Sequence, residues 1–586
     1  MDAAAFLGVQ RSALGRFWRP RLADERAALA LAQRLGVPEI VARILAGRGV
    51  DADAAPGFLE PRLRDALPDP FGFKDMDRAA TRLVAAIKAK ETIAVFGDYD
   101  VDGATSSALL RGFFASVGGE SVVYIPDRMK EGYGPNAPAL LKLKADGAGV
   151  AVTVDCGTTA HAPLQAASDA GLDMIVVDHH AAEPQLPKAF AIVNPNRLDE
   201  SGAHGQMAAV GVAFLLAVAV NRRLRDEGLR HLDNEGLLGL LDLVALGTVC
   251  DVVPLTGVNR AYVAQGLKAI ASRARPGIAA LADVAGLSET PQAFHLGFTL
   301  GPRVNAGGRV GEADLGTRLL TTQDPLEAAE IARKLDGYNR ERQRIEAEVL
   351  EAALTEAEAM GKSDFVCVAG EGWHAGVIGI VASRLKEKYD RPALVIALDG
   401  EIGKGSARSA MGFDIGAATI AARAEGLLIN GGGHANAAGL TVARDALPAL
   451  QNFLSARVAA YFSDAPRVST YDLDGAMSLA GATTGFLDEI EKIGPFGMGN
   501  PEPRFAFANL RIAKADIVGT DHVRCFLQDA RGARLAGIAF RSASSPLGTL
   551  LLRGDGAALH IAGRLKRDTW RGTQRVQLHI EDAAPA

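Results

Sequence analysis

Residues 93–103 read Ile-Ala-Val-Phe-Gly-Asp-Tyr-Asp-Val-Asp-Gly, and the fold can be worked out from them. Ile93 to Phe96 have the length and β-branched character of a buried strand. Gly97 permits a tight turn, after which Asp98, Asp100 and Asp102 crowd into five residues. The following Gly-Ala-Thr-Ser-Ser-Ala-Leu-Leu (103–110) reads as the first turns of a helix. Carboxylates this close repel one another unless a cation or protons neutralise them. The plain alternative makes Asp102 the cap of a helix beginning at Gly103 and leaves the other two as solvated loop acids.

Outward from this stretch the pattern alternates. A helix over 76–90 leads into strand 92–96; helix 104–117, strand 121–125, helix 135–145, strand 150–154, a helix around 160–170 and strand 174–177 follow. That spacing predicts a parallel sheet with helices on both faces. Ligands of such sheets bind just beyond the C-terminal strand ends. Two more polar groups fall there: Asp155 after Val-Ala-Val-Thr-Val, and Asp178-His179-His180 after Met-Ile-Val-Val. Farther on, a helical stretch over 237–246 leads to Asp251 in apolar surroundings. Singly, such residues are more often caps or core filler. Together they can converge on one sheet edge. Several carboxylates with an imidazole suit Mn²⁺ or Mg²⁺, and the lack of thiolates argues against structural zinc. Two such ions, roughly 3.5–4 Å apart, clamp the attacking and leaving oxygens of a phosphoryl displacement.

The chain of 586 residues is too long for one core and predicts three or four domains. A net charge of −6 argues against a general nucleic-acid coat protein but permits a local basic groove. Cys156, Cys250, Cys367 and Cys525 lie far apart, without zinc spacing, which fits a reducing cytoplasm. The start, Met-Asp-Ala-Ala-Ala-Phe-Leu, has no basic stretch, so no secretory signal is expected. The longest apolar run, 207–220, is shorter than the roughly 20 residues of a membrane span. A buried helix in a soluble protein with no membrane partner is predicted.

Residues 1–75 give short helices (25–35, 38–47) and a Pro-rich passage, with no visible chemistry. Gly301-Pro-Arg303-Val-Asn305-Ala-Gly-Gly-Arg309 is either a solvated loop or a phosphate contact, since guanidinium forks match phosphate oxygens. Residues 324–360 predict one or two long helices. A second α/β unit follows, with strands over 365–369 and 393–397 and helices over 376–388 and 415–427. It carries two polar loops, 405–409 with Ser406 and Arg408, and 430–436 with Gly432, Gly433 and His434. Their glycines let backbone amides approach an anion. Five short strands between 511 and 580 then predict a small barrel. There Arg564, Lys566, Arg567, Arg571 and Arg575 surround Trp570, a pattern that suits single-stranded nucleic acid but equally a core Trp with a basic rim. Arg128, just past strand 121–125, stands near the metal edge and could receive a terminal phosphate.

Asp98-x-Asp100, Val154-Asp155-Cys156-Gly157, Asp178-His179-His180 and Asp251 resemble the four metal motifs of the DHH phosphoesterase superfamily. Within it, Gly97–Ser106 and Leu243–Leu255 resemble the RecJ family of single-strand-specific 5′→3′ exonucleases, over a similarity running from about residue 20 to the C-terminus. One feature departs: the small DHH phosphatases carry a His four residues before the first Asp, where this chain has Ala94. The resemblance implies an N-terminal helical extension (1–75), a DHH catalytic domain (76–275), a helical linker (276–360), a DHHA1 substrate-binding domain (361–463) and an OB-fold barrel (464–586). It implies two Mn²⁺ or Mg²⁺ ions on Asp98, Asp100, Asp155, His179 and Asp251, with Asp178 behind them. His180 would stand beside the reacting oxygens, with Asp102 as a supporting group or cap. Arg128, Arg303, Asn305, Arg309, Ser406, Arg408, Gly432, Gly433 and His434 would grip single-stranded DNA. A single-strand-binding protein and a helicase are the implied partners, and 5′-mononucleotides the implied product. The rival readings are a DHH phosphatase for pyrophosphate, cyclic dinucleotides or very short RNA, and a catalytically silent DNA-binding scaffold. An oxidoreductase is excluded because no Gly-x-Gly-x-x-Gly follows the first strand.

Overall fold

A computed structural model describes residues 4–127, 131–132, 134–361, 363–463, 469–568 and 574–586. Its catalytic sheet has five parallel strands, in the spatial order Glu120–Tyr124, Thr92–Gly97, Ala148–Val154, Asp173–Val177 and Ala191–Val193. The last of these was not foreseen: three residues are too short for a periodicity to show. Helices Met76–Ala89 and Ala209–Asp226 and their neighbours cover one face; Ala137–Ala145 and His161–Asp169 cover the other. Apart from the exposed edge strand Glu120–Tyr124, the strands are apolar on both faces because both are buried.

Register decides what lies on the edge. Gly97 pairs with Val154, Val154 with Val177, and Val177 with Val193. One residue farther along, Asp98, Asp155, Asp178 and Asn194 therefore stand in a row. The Asp155 amide donates to Val177 O at 3.0 Å and that of Asp178 to Val193 O at 3.1 Å, which carries the ladder one step past the strands. Sequence order reverses between Thr92–Gly97 and Ala148–Val154, so Asp98 and Asp155 flank the crevice of the sheet's switch point.

Several expectations change. The helix after the Asp-rich turn is Val101–Ser116, and its cap is Asp100, whose carboxylate accepts from the amides of Asp102 (2.9 Å) and Gly103 (3.1 Å). Asp102 thus does not cap its own helix. The Gly-rich segment 301–309 is no loop but helix Gly301–Val310, entered through a π-turn with Pro302 in its first turn. Its glycines are contact points: a Cβ on Gly308 would lie 2.8 Å from the Tyr99 carbonyl oxygen. A single helix, Pro325–Ala359, bridges to the second domain.

That domain is a five-stranded sheet in the order Asn430–His434, Ala437–Ala443, Ile402–Arg408, Ala393–Asp399, Val366–Glu371. The two polar loops expected at 405–409 and 430–436 are mostly strand. Gly-rich, polar sequence hides the period of two, because the residues on the open face need not be apolar.

The C-terminal strands close into a barrel of five: Phe505–Val518, His522–Gln528, Arg534–Ala539, Arg575–Pro585 and Leu559–Asp568. The N-terminal residues are not a separate helical extension. Strand Phe17–Pro20 pairs in parallel with Thr470–Leu473, Trp18 is fully buried with Nε1 donating to Asp582 at 3.1 Å, and helices Glu25–Leu35 and Glu39–Gly47 pack on the barrel core. No helix among the described residues is long and apolar enough to cross a membrane.

Candidate active site

The edge of the catalytic sheet gathers one buried cluster. His179 Nε2 lies 3.3 Å from Asp155 Oδ1, 3.6 Å from Asp251 Oδ2 and 4.0 Å from Asp102 Oδ2. Ligand atoms of Asp98, Asp100 and Asp155 fall within 4.8 Å of one another, as do those of Asp102, His179 and Asp251, and of Asp155, His179 and His180. The three sets are linked: Asp155 joins the first to the third and His179 joins the second to the third.

The backbone is bent to make this possible. Asp155 has φ +60°, a conformation that L residues avoid, directly after a strand. A Cβ on Gly103 would meet the Asp98 carbonyl oxygen at 2.4 Å, and one on Gly97 would meet Ser107 Oγ at 2.1 Å. Only glycine lets the strand, the turn and the helix approach this closely.

Electrostatics show what the cluster lacks. Burial first, then Asp100, pushes the Asp102 carboxyl up to about 7, against two backbone amides that oppose it. Burial and then Asp102 and Asp100 push Asp251 up to about 9. Asp155 is raised well above the carboxylate range by burial and four neighbouring carboxylates. Burial and the charge of His180 lower His179 to about 4, so its imidazole is neutral and able to bind a metal. His179 Nε2 and Asp251 Oδ2 are buried and make no hydrogen bond among the described residues. Oxygens and a neutral imidazole converge there without a counter-charge. That donor set fits Mn²⁺ or Mg²⁺.

Asp178 plays another part. It accepts from Thr158 N (3.0 Å), His179 N (2.8 Å), His180 N (3.2 Å) and His180 Nδ1 (2.7 Å). Burial would raise it, but the bonds and charge of His180 and Thr158 outweigh that and hold it well below the usual range. In return, Asp178 overcomes the effect of burial on His180 and raises its pKa. Asp102 accepts from Ala209 N (2.7 Å) and Val210 N (2.9 Å), so it fixes the start of helix Ala209–Asp226. Two braces went unseen in the sequence. Asn194 Nδ2 donates to Thr158 Oγ1 and His180 O, and Asn196 Nδ2 to His179 O and Gly205 O. Recognising strand 191–193 would have exposed Asn194, because it sits one residue past a strand end like the acids.

The second domain reaches this cluster. The His434 ring stacks on that of His180, with centroids 6.0 Å apart and planes 23° apart. Beside it lies a cavity of about 360 Å³ lined by Arg309, Ser406, Arg408, Gly432, Lys404 and Asn430, among others. Arg309 Nη1 donates to Gly376 O at 2.9 Å and Arg408 Nη1 to Ser406 Oγ at 3.0 Å. A Cβ on Gly433 would meet Ala437 O at 2.3 Å, so the hairpin leading to His434 requires glycine.

Other expected contacts are not in the cavity. Arg303 donates to Asp336 Oδ1 (2.9 Å) and Thr299 O (2.6 Å), tying its helix to Pro325–Ala359. Asn305 is half-buried on the same helix and does not line the cavity. Arg128, Trp570 and Arg571 lie outside the described residues. The basic strip on the barrel is largely neutralised: Arg564 and Lys566 pair with Glu502, Arg564 also with Glu581, and Arg567 with Asp488 and Glu491.

Comparison with known proteins adds the following. Residues 92–248 match the DHH family N-terminal domain, 362–460 the DHHA1 domain and 473–582 the RecJ OB domain. The chain is 34% identical over 575 residues to the single-stranded-DNA-specific exonuclease RecJ of Bacillus subtilis, covering 97% of this chain and 70% of that one. It is 35% identical to the protein of the same description from Escherichia coli, covering 94% and 96%. The crystal structure of RecJ in complex with Mn²⁺ from Thermus thermophilus superposes with a TM-score of 0.80 at 30% identity, covering 96% of this chain and 78% of that one.

Proposed function

This chain belongs to the RecJ family, and from that premise we propose how its residues carry out the reaction. It is a single-stranded-DNA-specific exonuclease that works with Mn²⁺ or Mg²⁺. It degrades the strand 5′→3′ to 5′-mononucleotides, in recombination and repair in the cytoplasm, alongside a single-strand-binding protein and a helicase. One observation carries the reading of polarity: a buried carboxylate cluster and a cationic cavity meet through His180 and His434.

Asp98, Asp100, Asp155, His179 and Asp251 would hold two ions, Asp155 belonging to two of the ligand sets. When bound, these ions lower the pKa of water and polarise the phosphodiester. Asp178 holds His180 through Nδ1, which leaves Nε2 to place a proton on an oxygen of the scissile phosphate. Asp102 keeps the cluster in register with the helix it caps. Arg309, Ser406 and Arg408 take the terminal 5′-phosphate by charge-assisted bonds, and the Gly432–Gly433 strand gives it a floor. Arg128 belongs to the same grip. Arg303 and Asn305 serve their helix. A pocket for the 5′-phosphate lets one nucleotide pass the metals, and this sets both the polarity and the product size.

The test uses 5′- and 3′-labelled single- and double-stranded DNA with Mn²⁺ or Mg²⁺. Labelled mononucleotide should appear at once from the 5′-labelled single strand and last from the 3′-labelled one. The reverse order would overturn the polarity.

A further inference from the structure

The cavity is larger than one phosphate needs, and its far end is polar. Register places three rows across the strands Ile402–Arg408, Ala437–Ala443 and Asn430–His434. Arg408 pairs with Ala437 and Ala437 with His434; Ser406 pairs with Gly439 and Gly439 with Gly432; Lys404 pairs with Thr441 and Thr441 with Asn430. All nine share one face of the sheet. Farther across the sheet that face is buried, with Val395 and Val368 packed under helix Ile378–Tyr389. Over these rows it stays open as the cavity, whose volume is about 360 Å³.

The rows form a track that begins at His434, beside the metal cluster. Strand geometry puts Ser406 roughly 7 Å and Lys404 roughly 13 Å from Arg408 along it. At Gly432 and Gly439 an added Cβ would meet nothing within 4 Å, so the floor is low and the space above it is empty. The wall opposite is the first turn of helix Ile378–Tyr389, and Ile378 and Gly379 line the cavity. Gly379 lies so close that a Cβ would stand 3.0 Å from Arg408 Nη2 and 3.1 Å from Ser406 Oγ. A helix N-terminus offers unsatisfied amides and positive potential to anions. Beyond Ser406, Lys404 is exposed and makes no ion pair among the described residues, with Asn430 and Thr441 beside it. Among the described residues, no acidic side chain lines the cavity.

We propose that the Lys404–Asn430–Thr441 end of this cavity is a second anion subsite and that single strands with a 5′-triphosphate end are substrates. The proposal rests on the reading that Arg309, Ser406 and Arg408 take a 5′-phosphate. The outer phosphates continue along the track to Lys404, while the first diester stays at the metal cluster. Water adds to the phosphorus that joins the first and second nucleotides, the bond from that phosphorus to O3′ breaks, and O3′ takes a proton. The first product is a nucleoside 5′-triphosphate. The shortened strand carries an ordinary 5′-phosphate, and later products are monophosphates.

The test compares one single-stranded DNA sequence bearing a 5′-hydroxyl, a 5′-monophosphate or a 5′-triphosphate. Initial rates and the first product are followed by anion-exchange chromatography. The triphosphate end should be cut at least as fast as the monophosphate end and should release a nucleoside triphosphate. Lys404→Ala should lower the ratio of triphosphate to monophosphate rates about fivefold or more, and Lys404→Arg should restore it. A monophosphate advantage over hydroxyl with a rejected triphosphate, or a ratio unmoved by Lys404→Ala, overturns the second subsite alone. No advantage of monophosphate over hydroxyl overturns the whole pocket.

Discussion

The metal cluster and the cavity beside it are built on opposite principles. The cluster is buried and anionic, and Asp98, Asp155 and Asp178 stand one residue past parallel strand ends, with Asp251 brought in from the end of helix Leu241–Cys250. Until a cation arrives it is in conflict with itself: burial and the neighbouring carboxylates push Asp155 and Asp251 well above the usual carboxylate range. The cavity is half-open and cationic, lies on the face of a mostly antiparallel sheet, and uses glycines as much as side chains. The first should make bonds break. The second should decide which bond comes to it. Substitutions in one should therefore change rate on every substrate, and those in the other should change only the preference among ends.

The largest effect should follow Asp155→Ala, since two of the three ligand sets use this residue and it stands at the centre of the cluster. Hydrolysis should fall by on the order of a thousandfold or more, while the circular dichroism spectrum and binding to single strands persist. A folded variant with wild-type turnover in Mn²⁺ would remove Asp155 from the metal site. Next comes Asp178→Asn. The amide keeps the shape but can no longer accept from every donor around it, so both histidines lose their orientation. Activity should drop about 10–100-fold, with metal affinity falling alongside. Unaltered Mn²⁺ affinity would make Asp178 a mere loop filler. The third test moves to the cavity. Arg408→Ala should erase most of the preference for 5′-phosphate over 5′-hydroxyl ends, roughly 1.5–3 kcal/mol, and leave the rate on hydroxyl ends nearly intact. Arg128→Ala should act in the same direction. If the ratio of the two rates survives in both variants, the two regions are not divided as described.

The contrast also explains what the sequence made legible. Asp98, Asp100, Asp155 and the Asp178-His179-His180 run announce themselves because carboxylates after β-branched runs are chemically unusual and a parallel sheet gathers strand ends. The cavity is harder to see. Ser406 and Arg408 stand out in the sequence but read as loop residues, because their strand alternates glycine with polar groups. Lys404 carries no local signal, since its position opposite Thr441 exists only through the register of strands distant in sequence. Asn194 was hidden behind a strand of three residues. The docking of Phe17–Pro20 on Thr470–Leu473 spans more than 450 residues of chain, and no local pattern encodes it. Arg564, Lys566 and Arg567 looked like a free basic strip because their acidic partners Glu502, Asp488 and Glu491 come from other segments.

The smallest effect concerns stability, and it sharpens the electrostatic half of the contrast. In the metal-free protein Asp102 titrates near 7, Asp251 near 9 and Asp155 well above the ordinary range. In the unfolded chain all three ionise near 4. Between pH 7 and 9 the folded state therefore holds more protons than the unfolded one, and stability must fall as pH rises. His180, also raised, works in the same direction as pH climbs through its folded pKa. His179, lowered to about 4, adds stability with rising pH only below its unfolded value near 6.5, so it does not disturb this window. Asp178, held low, matters only in acid. Among the described residues, no carboxylate lines the cavity of the second domain. The melting temperature in EDTA should thus drop by a few degrees from pH 7 to 9, measured by scanning fluorimetry. Saturating Mn²⁺, which binds the ionised forms, should flatten or reverse the slope, and Asp251→Asn should flatten it without metal. Lys404→Ala and Arg408→Ala should leave it as it is. A slope indifferent to both Mn²⁺ and Asp251→Asn would mean that the cluster is not under the electrostatic load its geometry describes.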